Sequence, residues 1–192
     1  MGDELPRGVE HKRRFLCSRA AAELSAHLRR VNSFAVREIR MFGRLVPMPR
    51  ETAWFAPPGM DYAYSGHLHL GGGVPRWLDA VRADVAGACG AAFASILATR
   101  YRDGADAVAW HSDQEPELGS MPTVAVLSLG ATRDLCFREK GKSGARWKVA
   151  LAEGDLLIMR PGVQERLQHA VPRRAQAGTR VSLSFRPFEA GR

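Results

Sequence analysis

Two stretches of the chain repeat apolar residues at the spacing of an amphipathic helix. Residues 18–30 open with Ser18, a plausible N-cap, and residues 75–93 carry an apolar stripe that includes Trp77 and Val85. A serine before an apolar-periodic run is a helix start signal, and the spacing places the apolar residues on one face. The pattern therefore predicts two helices in the N-terminal half.

After residue 93 the pattern changes to short apolar segments of strand length, separated by glycine-containing turns. Residues 34–49 also predict short strands, joined at Phe42 and Gly43, whereas residues 52–73 predict mostly loop or hairpin. Seven later segments predict strands, at residues 95–101, 107–113, 123–130, 131–139, 147–159, 166–172 and 179–188. Two helices before a run of short strands predict an α+β fold, mainly β: a double-stranded β-helix (jelly-roll) barrel with two N-terminal helices packed on it.

The chain of 192 residues has the length of one domain with a sizeable core. We expect residues 16–192 to form this domain, with the helices in residues 16–93 and the jelly-roll core in residues 94–188. Residues 1–15 are polar and basic and predict a flexible N-terminus. No apolar run has the length of a membrane span or a signal peptide. The three widely spaced cysteines indicate free thiols in a reducing compartment, so we expect the cytoplasm.

The net charge of +8 favours a polyanionic partner, with nucleic acid as the first candidate. The basic residues concentrate in two predicted loops, around a Gly/Ser-containing hairpin and shortly after His169. They are Arg138, Lys140, Lys142, Arg146, Arg173 and Arg174. Such loops could bracket a duplex through phosphate contacts, although a basic hairpin that is merely solvated remains the alternative.

The residues His111 and Asp113 are two apart on a predicted strand and therefore share a face, and His169 lies on a later strand. Two histidines and one carboxylate form the facial ligand set of non-haem Fe(II) oxygenases. The H-x-D match alone is weak, and a single histidine is more often structural. A barrel can nevertheless bring the three residues together at its mouth.

Such a metal commonly takes a 2-oxo acid as co-substrate, and the far carboxylate of that acid needs a cation. The last predicted strand supplies Arg180 and Arg186, which are six residues apart and share one face with Ser182 and Ser184. Arginine pairs bidentately with carboxylates. The order of these groups on predicted strands favours a functional site over surface arginines.

These residues belong to a series of motifs: YRDG at 101–104, WHSDQE at 110–115, SLGATR at 128–133, GDLLIM at 154–159, QHAVP at 168–172 and the strand at 180–186. Together they resemble the AlkB family of Fe(II)/2-oxoglutarate-dependent dioxygenases, which demethylate alkylated nucleobases. The resemblance runs from about residue 34 to residue 188 and is nearest to the duplex-acting members. It implies the jelly-roll fold and Fe(II), 2-oxoglutarate and O2 as cofactor and co-substrates.

The resemblance also implies roles for particular residues. Fe(II) would be bound by His111, Asp113 and His169. The distal carboxylate of 2-oxoglutarate would be held by Arg180 and Tyr101, and Arg186 would face the carboxylate nearer the metal. At the positions of Thr99 and Ser182 the family usually has asparagine, whose amide helps to orient the co-substrate, whereas a hydroxyl is shorter and lacks the second donor.

The substrate-binding part of the family is matched by residues 49–54 and 62–66. Glu115 would lie near the polar edge of the damaged base, in a pocket completed by Trp54, Tyr62, Tyr64 and Ser65. Arg50 would contact the nucleic acid, and Phe42 would enter the gap that the extruded base leaves. The alternatives are hairpin packing for the two tyrosines and a core strand position for Phe42.

The resemblance implies oxidative demethylation of 1-methyladenine and 3-methylcytosine in DNA, which releases formaldehyde while 2-oxoglutarate becomes succinate and CO2. An RNA demethylase, a small-molecule hydroxylase of the same fold and a non-catalytic nucleic-acid-binding module remain alternatives. The partner would be nucleic acid, duplex or single-stranded, with no membrane and no obligate protein partner. We expect a monomer, in the nucleoid of a prokaryote or the nucleus of a eukaryote.

Overall fold

The computed structural model describes residues 4–41, 44–64 and 67–188. Two residues with predicted roles, Phe42 and Ser65, lie outside these ranges. The side chains of Tyr62 and Tyr64 also lie outside the description, although the backbone of both residues forms part of a strand.

Within the described ranges the chain forms three α-helices, α1 at Ser18–Arg29, α2 at Arg76–Cys89 and α3 at Val163–Arg166. The first strands are β1 at Val9–Lys12, β2 at Ala35–Met41, β3 at Arg44–Phe55, β4 at Tyr62–Tyr64 and β5 at His67–His69. The remaining strands are β6 at Ser95–Tyr101, β7 at Val108–His111, β8 at Val124–Gly130, β9 at Arg133–Glu139, β10 at Trp147–Leu151, β11 at Leu156–Met159, β12 at Leu167–Val171 and β13 at Arg180–Arg186.

The strands form two large antiparallel sheets, as the sequence predicts. The major sheet has the order β1-β11-β8-β13-β6-β3-β2, and the minor sheet has the order β10-β9-β12-β7. Apolar side chains of both sheets meet in one buried cluster, which includes Val126 and Leu157 from the major sheet and Leu135 and Phe137 from the minor sheet. The prediction of a mainly β, jelly-roll barrel is confirmed.

The two predicted helices pack against the barrel. Helix α1 buries Leu24 and Leu28, and α2 buries Leu78 and Val85, in a cluster shared with major-sheet residues such as Leu127. The predicted cap is wrong in detail, because α1 begins at Ser18 itself with Cys17 as N-cap and no side-chain capping bond. Apolar burial rather than capping therefore holds this helix in place.

The N-terminal segment is not the flexible arm that its polarity predicts. Strand β1 pairs with β11, with Val9 opposite Met159, and His11 Nε2 lies 2.9 Å from Asp155 Oδ2. The turn before β11 reinforces this, because a Cβ on Gly154 (φ +81°) would lie 2.5 Å from the carbonyl oxygen of Leu16. Only glycine fits so close an approach.

Two further boundaries differ from the predictions. Strand β3 continues to Phe55, into the stretch predicted as loop, and with β2 it joins the major sheet, so the barrel core is not confined to residues 94–188. The segment at 147–159 divides into β10 and β11. In the described ranges no helix is both long and apolar enough to cross a membrane.

Candidate metal and co-substrate site

The three predicted metal ligands meet in the barrel. Strand pairing places His169 on β12 directly opposite His111 at the end of β7, with ring centroids 4.2 Å apart. One potential ligand atom from each of His111, Asp113 and His169 lies within 4.8 Å of the others, so the three could hold a metal ion together. His111 Nδ1 lies 2.9 Å from the Ala109 carbonyl oxygen. As a donor there, it leaves Nε2 for a metal.

The position of Asp113 differs from the expectation that it shares a strand with His111. Strand β7 ends at His111, and Asp113 lies beyond it. Two hydrogen bonds to the opposite segment hold this extension: the Ser112 hydroxyl donates to the Leu167 carbonyl oxygen at 2.8 Å, and the Asp113 N–H donates to Gln164 Oε1 at 2.9 Å. At Ser112 and Asp113, two hydrogen bonds that involve side chains thus take the place of the main-chain hydrogen bonds of a strand.

The electrostatics of the three residues suit a divalent cation. Burial opposes ionisation of Asp113, but Arg186, His169 and His111 outweigh it and keep the pKa of its carboxyl below the usual value. Burial and the neighbouring His111 lower the pKa of His169 to about 3. Its Nε2, 3.6 Å from Asp113 Oδ2, is therefore neutral near pH 7, so this contact is not an ion pair. A neutral imidazole beside a carboxylate is the protonation state that a metal requires.

The two predicted arginines of β13 line the same cavity as the ligands, together with Ser182 and Ser184. Arg186 donates through Nη2 to Asp113 Oδ1. Arg180 is 1% exposed, donates through Nε to the Ser128 hydroxyl at 2.9 Å and lies over the Tyr101 ring at 5.1 Å. Its Nη1 is buried without a hydrogen-bond partner among the described residues. A buried cation with a free donor fits an anionic group of a ligand.

Four buried hydroxyl residues form a row across the major sheet beside this cavity. Thr52, Thr99, Ser182 and Ser128 stand opposite one another on β3, β6, β13 and β8. Thr52, Thr99 and Ser182 line the cavity, so the two positions where the family usually has asparagine border the same space as the three candidate metal ligands. Hydroxyls are shorter than amides, so ligand groups have more space there.

Arg133 is a buried residue near the site that the sequence reasoning did not single out. It is 1% exposed, lies over the Tyr101 ring at 5.4 Å and donates to the carbonyl oxygens of Asp103, Asp106 and Pro172. Burial lowers the pKa of its guanidinium. The residue fixes the backbone of the loop that follows β6 and of Pro172 after β12, and its position in the SLGATR motif was the available signal.

Of the residues expected to form the base pocket, the described side chains of Trp54 and Glu115 lie outside the cavity lining. His69, 5% exposed, lines the cavity and was not predicted, because it lies in the stretch that the sequence predicts as loop or hairpin. The Trp54 ring packs against His69 at 6.5 Å between centroids, and its indole N–H donates to the Met60 carbonyl oxygen. Glu115 lies at the start of a short 3-10 turn outside the cavity lining.

Apart from Arg50 on β3, the basic residues predicted to contact DNA occupy the minor sheet and neighbouring loops. Several are engaged within the chain: Arg138 stacks over Trp110 at 4.5 Å and binds Gln168 at 2.9 Å, and Arg146 pairs with Glu139. Lys140 binds Gln114, and Arg174 donates to the Thr132 carbonyl oxygen at 3.3 Å. The exposed side chains include Lys142 and Arg173. Arg50 lines the cavity and donates to the Ala107 carbonyl oxygen.

Comparison with known proteins agrees with this site. The family model described as "2OG-Fe(II) oxygenase superfamily" matches residues 8–186. The chain is 35% identical over 164 residues to the DNA oxidative demethylase ALKBH2 of Mus musculus, covering 79% of this chain and 67% of that protein. It is 39% identical over 152 residues to the alpha-ketoglutarate-dependent dioxygenase alkB homolog 3 of Rattus norvegicus, covering 73% of this chain and 50% of that protein.

Solved structures share the fold at low sequence identity. The structure of OsALKBH1 has a TM-score of 0.72 and 18% identity, covering 95% of this chain and 99% of that one. A prolyl hydroxylase from Trichoplax adhaerens, in complex with a peptide of hypoxia inducible factor, has a TM-score of 0.62 and 14% identity, covering 94% and 83%. With a family model over nearly the whole chain and AlkB homologues above 30% identity, this chain belongs to the 2OG-Fe(II) oxygenase superfamily and, within it, to the AlkB family, whose chemistry uses Fe(II), 2-oxoglutarate and O2.

Proposed function

We propose that this protein removes N-methyl groups from 1-methyladenine and 3-methylcytosine in DNA by Fe(II)- and 2-oxoglutarate-dependent oxidation. The observation that carries the proposal is a single cavity lined by the His111, Asp113 and His169 triad and by two buried arginines. The relatives named as DNA oxidative demethylases support the substrate class. The chain spans about half to two thirds of these relatives, so the activity of the whole protein is part of the proposal.

In this proposal Fe(II) would be held by one carboxylate oxygen of Asp113 and one imidazole nitrogen from each histidine. The donor set fits, because two imidazoles and one carboxylate are the ligand set of non-haem Fe(II) oxygenases. When bound, iron and 2-oxoglutarate supply the oxidising power that hydroxylates a methyl group. The chain contributes an ionised Asp113, a neutral His169 and a site enclosed by the barrel.

The co-substrate would lie along β13. Its distal carboxylate would accept hydrogen bonds from Arg180, whose Nη1 is buried and available, and from the Tyr101 hydroxyl. Arg186 binds the ligand Asp113, so it would both orient that carboxylate and face the carboxylate of 2-oxoglutarate nearer the metal. Thr99 and Ser182 would contribute single hydroxyl donors in place of amides.

The nucleobase would enter from the side of Arg50 and His69. A methyl on a base-pairing nitrogen is hidden within a duplex, so the base must be flipped out or presented in a single strand. Glu115, Trp54, Tyr62, Tyr64 and Ser65 would contribute to holding the base, and Phe42 to filling the vacated stack. Basic residues, above all the exposed Lys142 and Arg173, would contact phosphates without sequence preference.

The experiment that tests this proposal incubates the protein with Fe(II), 2-oxoglutarate and methylated substrates, and scores products by mass spectrometry. The panel holds single- and double-stranded DNA, RNA and free nucleosides that carry 1-methyladenine or 3-methylcytosine. We expect loss of the methyl group from DNA with matching succinate, and neither product with His111→Ala. If only RNA loses its methyl group, the substrate is RNA and not DNA. If no nucleic acid loses its methyl group, the proposal is overturned.

A further inference from the structure

A buried glutamine, which is not itself a candidate metal ligand, binds the backbone of the candidate ligand Asp113. Gln164 is 1% exposed and lies in the four-residue helix α3, between β11 and the strand that carries His169. Its Oε1 accepts the N–H of Asp113 at 2.9 Å. The assignment of oxygen and nitrogen follows from chemistry, because a backbone N–H can only donate.

The other end of this amide makes a poor contact. Its Nε2 approaches the thioether sulfur of Met159 at 3.4 Å, and a thioether is a weak acceptor. Burying an amide costs free energy unless its groups are well paired, so an apolar side chain of similar size would suit the same space better for stability. Among the described residues the one strong bond of Gln164 goes to Asp113, which argues that this bond is the reason for a glutamine here.

Asp113 needs such a bond because it lies beyond the end of β7. Its carboxylate is approached from two sides, by Arg186 at Oδ1 and by His169 at Oδ2, 3.6 Å away. Arg186 alone would draw the carboxylate toward itself. The bond from Gln164 fixes the backbone from which the carboxylate extends, and so keeps Oδ2 on the side of the histidines.

We propose that Gln164 is a positioning residue that holds the metal ligand Asp113 in its binding orientation through the Asp113 main-chain N–H. This inference rests on the proposed function, in which Asp113 binds Fe(II). It predicts a specific loss of metal affinity in Gln164→Leu, which keeps the approximate volume and removes the acceptor. The expected loss is about tenfold, because groups that orient ligands typically contribute 10- to 100-fold to metal affinity.

The test titrates the metal-free full chain with Mn(II), with free Mn(II) followed by electron paramagnetic resonance, and needs no turnover. The matched control is Gln168→Leu, because Gln168 binds Arg138 at 2.9 Å and no metal ligand. Gln164→Glu keeps an acceptor oxygen at the same reach and should restore most of the affinity. Hydrogen exchange of the Asp113 amide should quicken in Gln164→Leu alone.

The Mn(II) affinities of the two leucine variants distinguish a positioning role of Gln164 from a purely structural one. Weaker Mn(II) binding in Gln164→Leu, but not in Gln168→Leu, supports it. Equal Mn(II) affinity in both variants overturns it, even if Gln164→Leu melts at a lower temperature, because a structural role alone would lower only the melting temperature. If Gln164→Leu does not fold, Gln164→Asn, whose oxygen falls one methylene short, carries the same comparison. A wild-type chain that binds no Mn(II) would instead refute the metal site in the proposed function.

Discussion

Replacement of Arg180 by lysine should weaken 2-oxoglutarate binding far more than it weakens the fold. Arg180 is almost fully buried, keeps its Nε on the Ser128 hydroxyl and leaves Nη1 without a described partner. Lysine keeps the charge but lacks the planar fork. The variant therefore loses at least one charge-assisted hydrogen bond to the carboxylate, about 1.5–3 kcal/mol. Since about 1.4 kcal/mol is tenfold, the Kd should rise roughly 10- to 150-fold.

Isothermal calorimetry of 2-oxoglutarate binding to the Mn(II)-loaded protein measures this change directly. The matched control is Arg133→Lys, because Arg133 also lies over Tyr101 but donates to three backbone carbonyl oxygens. Arg133→Lys should lower the free energy of unfolding and leave the Kd of the folded protein near the wild-type value. An unchanged Kd in Arg180→Lys, or an equal rise in both variants, would refute the placement of the co-substrate.

Three further predictions concern the fold and the nucleic-acid surface. Asp155→Asn should lower the free energy of unfolding by about 1–3 kcal/mol in urea, because Asp155 accepts from His11 and two backbone N–H groups. Those hydrogen bonds outweigh burial and depress its pKa, so this stabilisation is present above the unfolded pKa of about 3.9 and is lost as pH falls through the folded value. The variant should then lose less stability on acidification than wild type, and an equal loss in both would contradict this. Leu127→Ala should cost about 2–5 kcal/mol of unfolding free energy in the same titration, since Leu127 is fully buried, and a loss below about 1 kcal/mol would refute its place in the core. Lys142→Ala should reduce the salt slope of DNA binding by about one, while Lys12→Ala on the other sheet should leave it unchanged; equal slopes would remove Lys142 from the interface.

The fold was predictable where the sequence pattern is local and repeated. The alternation of apolar residues in the C-terminal half predicts its strands, and the i, i+4 stripe of residues 75–93 predicts α2. Strand β1 was missed because it has only four residues and its place depends on distant partners, β11 and Asp155. Pairing over such a sequence separation leaves no local signal.

Residues of the site could be predicted where the two-residue period of a strand fixes the direction in which side chains point. Arg180, Ser182, Ser184 and Arg186 alternate on one strand, and all four face the cavity. The sequence predicted Asp113 within the strand, whereas β7 ends at His111. The end of β7 depends on hydrogen bonds to a distant segment of the chain. For the same reason Gln164 could not be recognised before the fold was known.

The proposed activity couples oxidation of 2-oxoglutarate to removal of a methyl group from a base in DNA. The most direct measurement is the mass of a DNA oligonucleotide that carries one 1-methyladenine, before and after incubation with Fe(II), 2-oxoglutarate and O2. We expect the oligonucleotide to lose the mass of one methylene, with one succinate formed per base repaired, and to stay unchanged with His111→Ala. An unchanged oligonucleotide with the wild-type chain loaded with Fe(II) would refute the proposed activity.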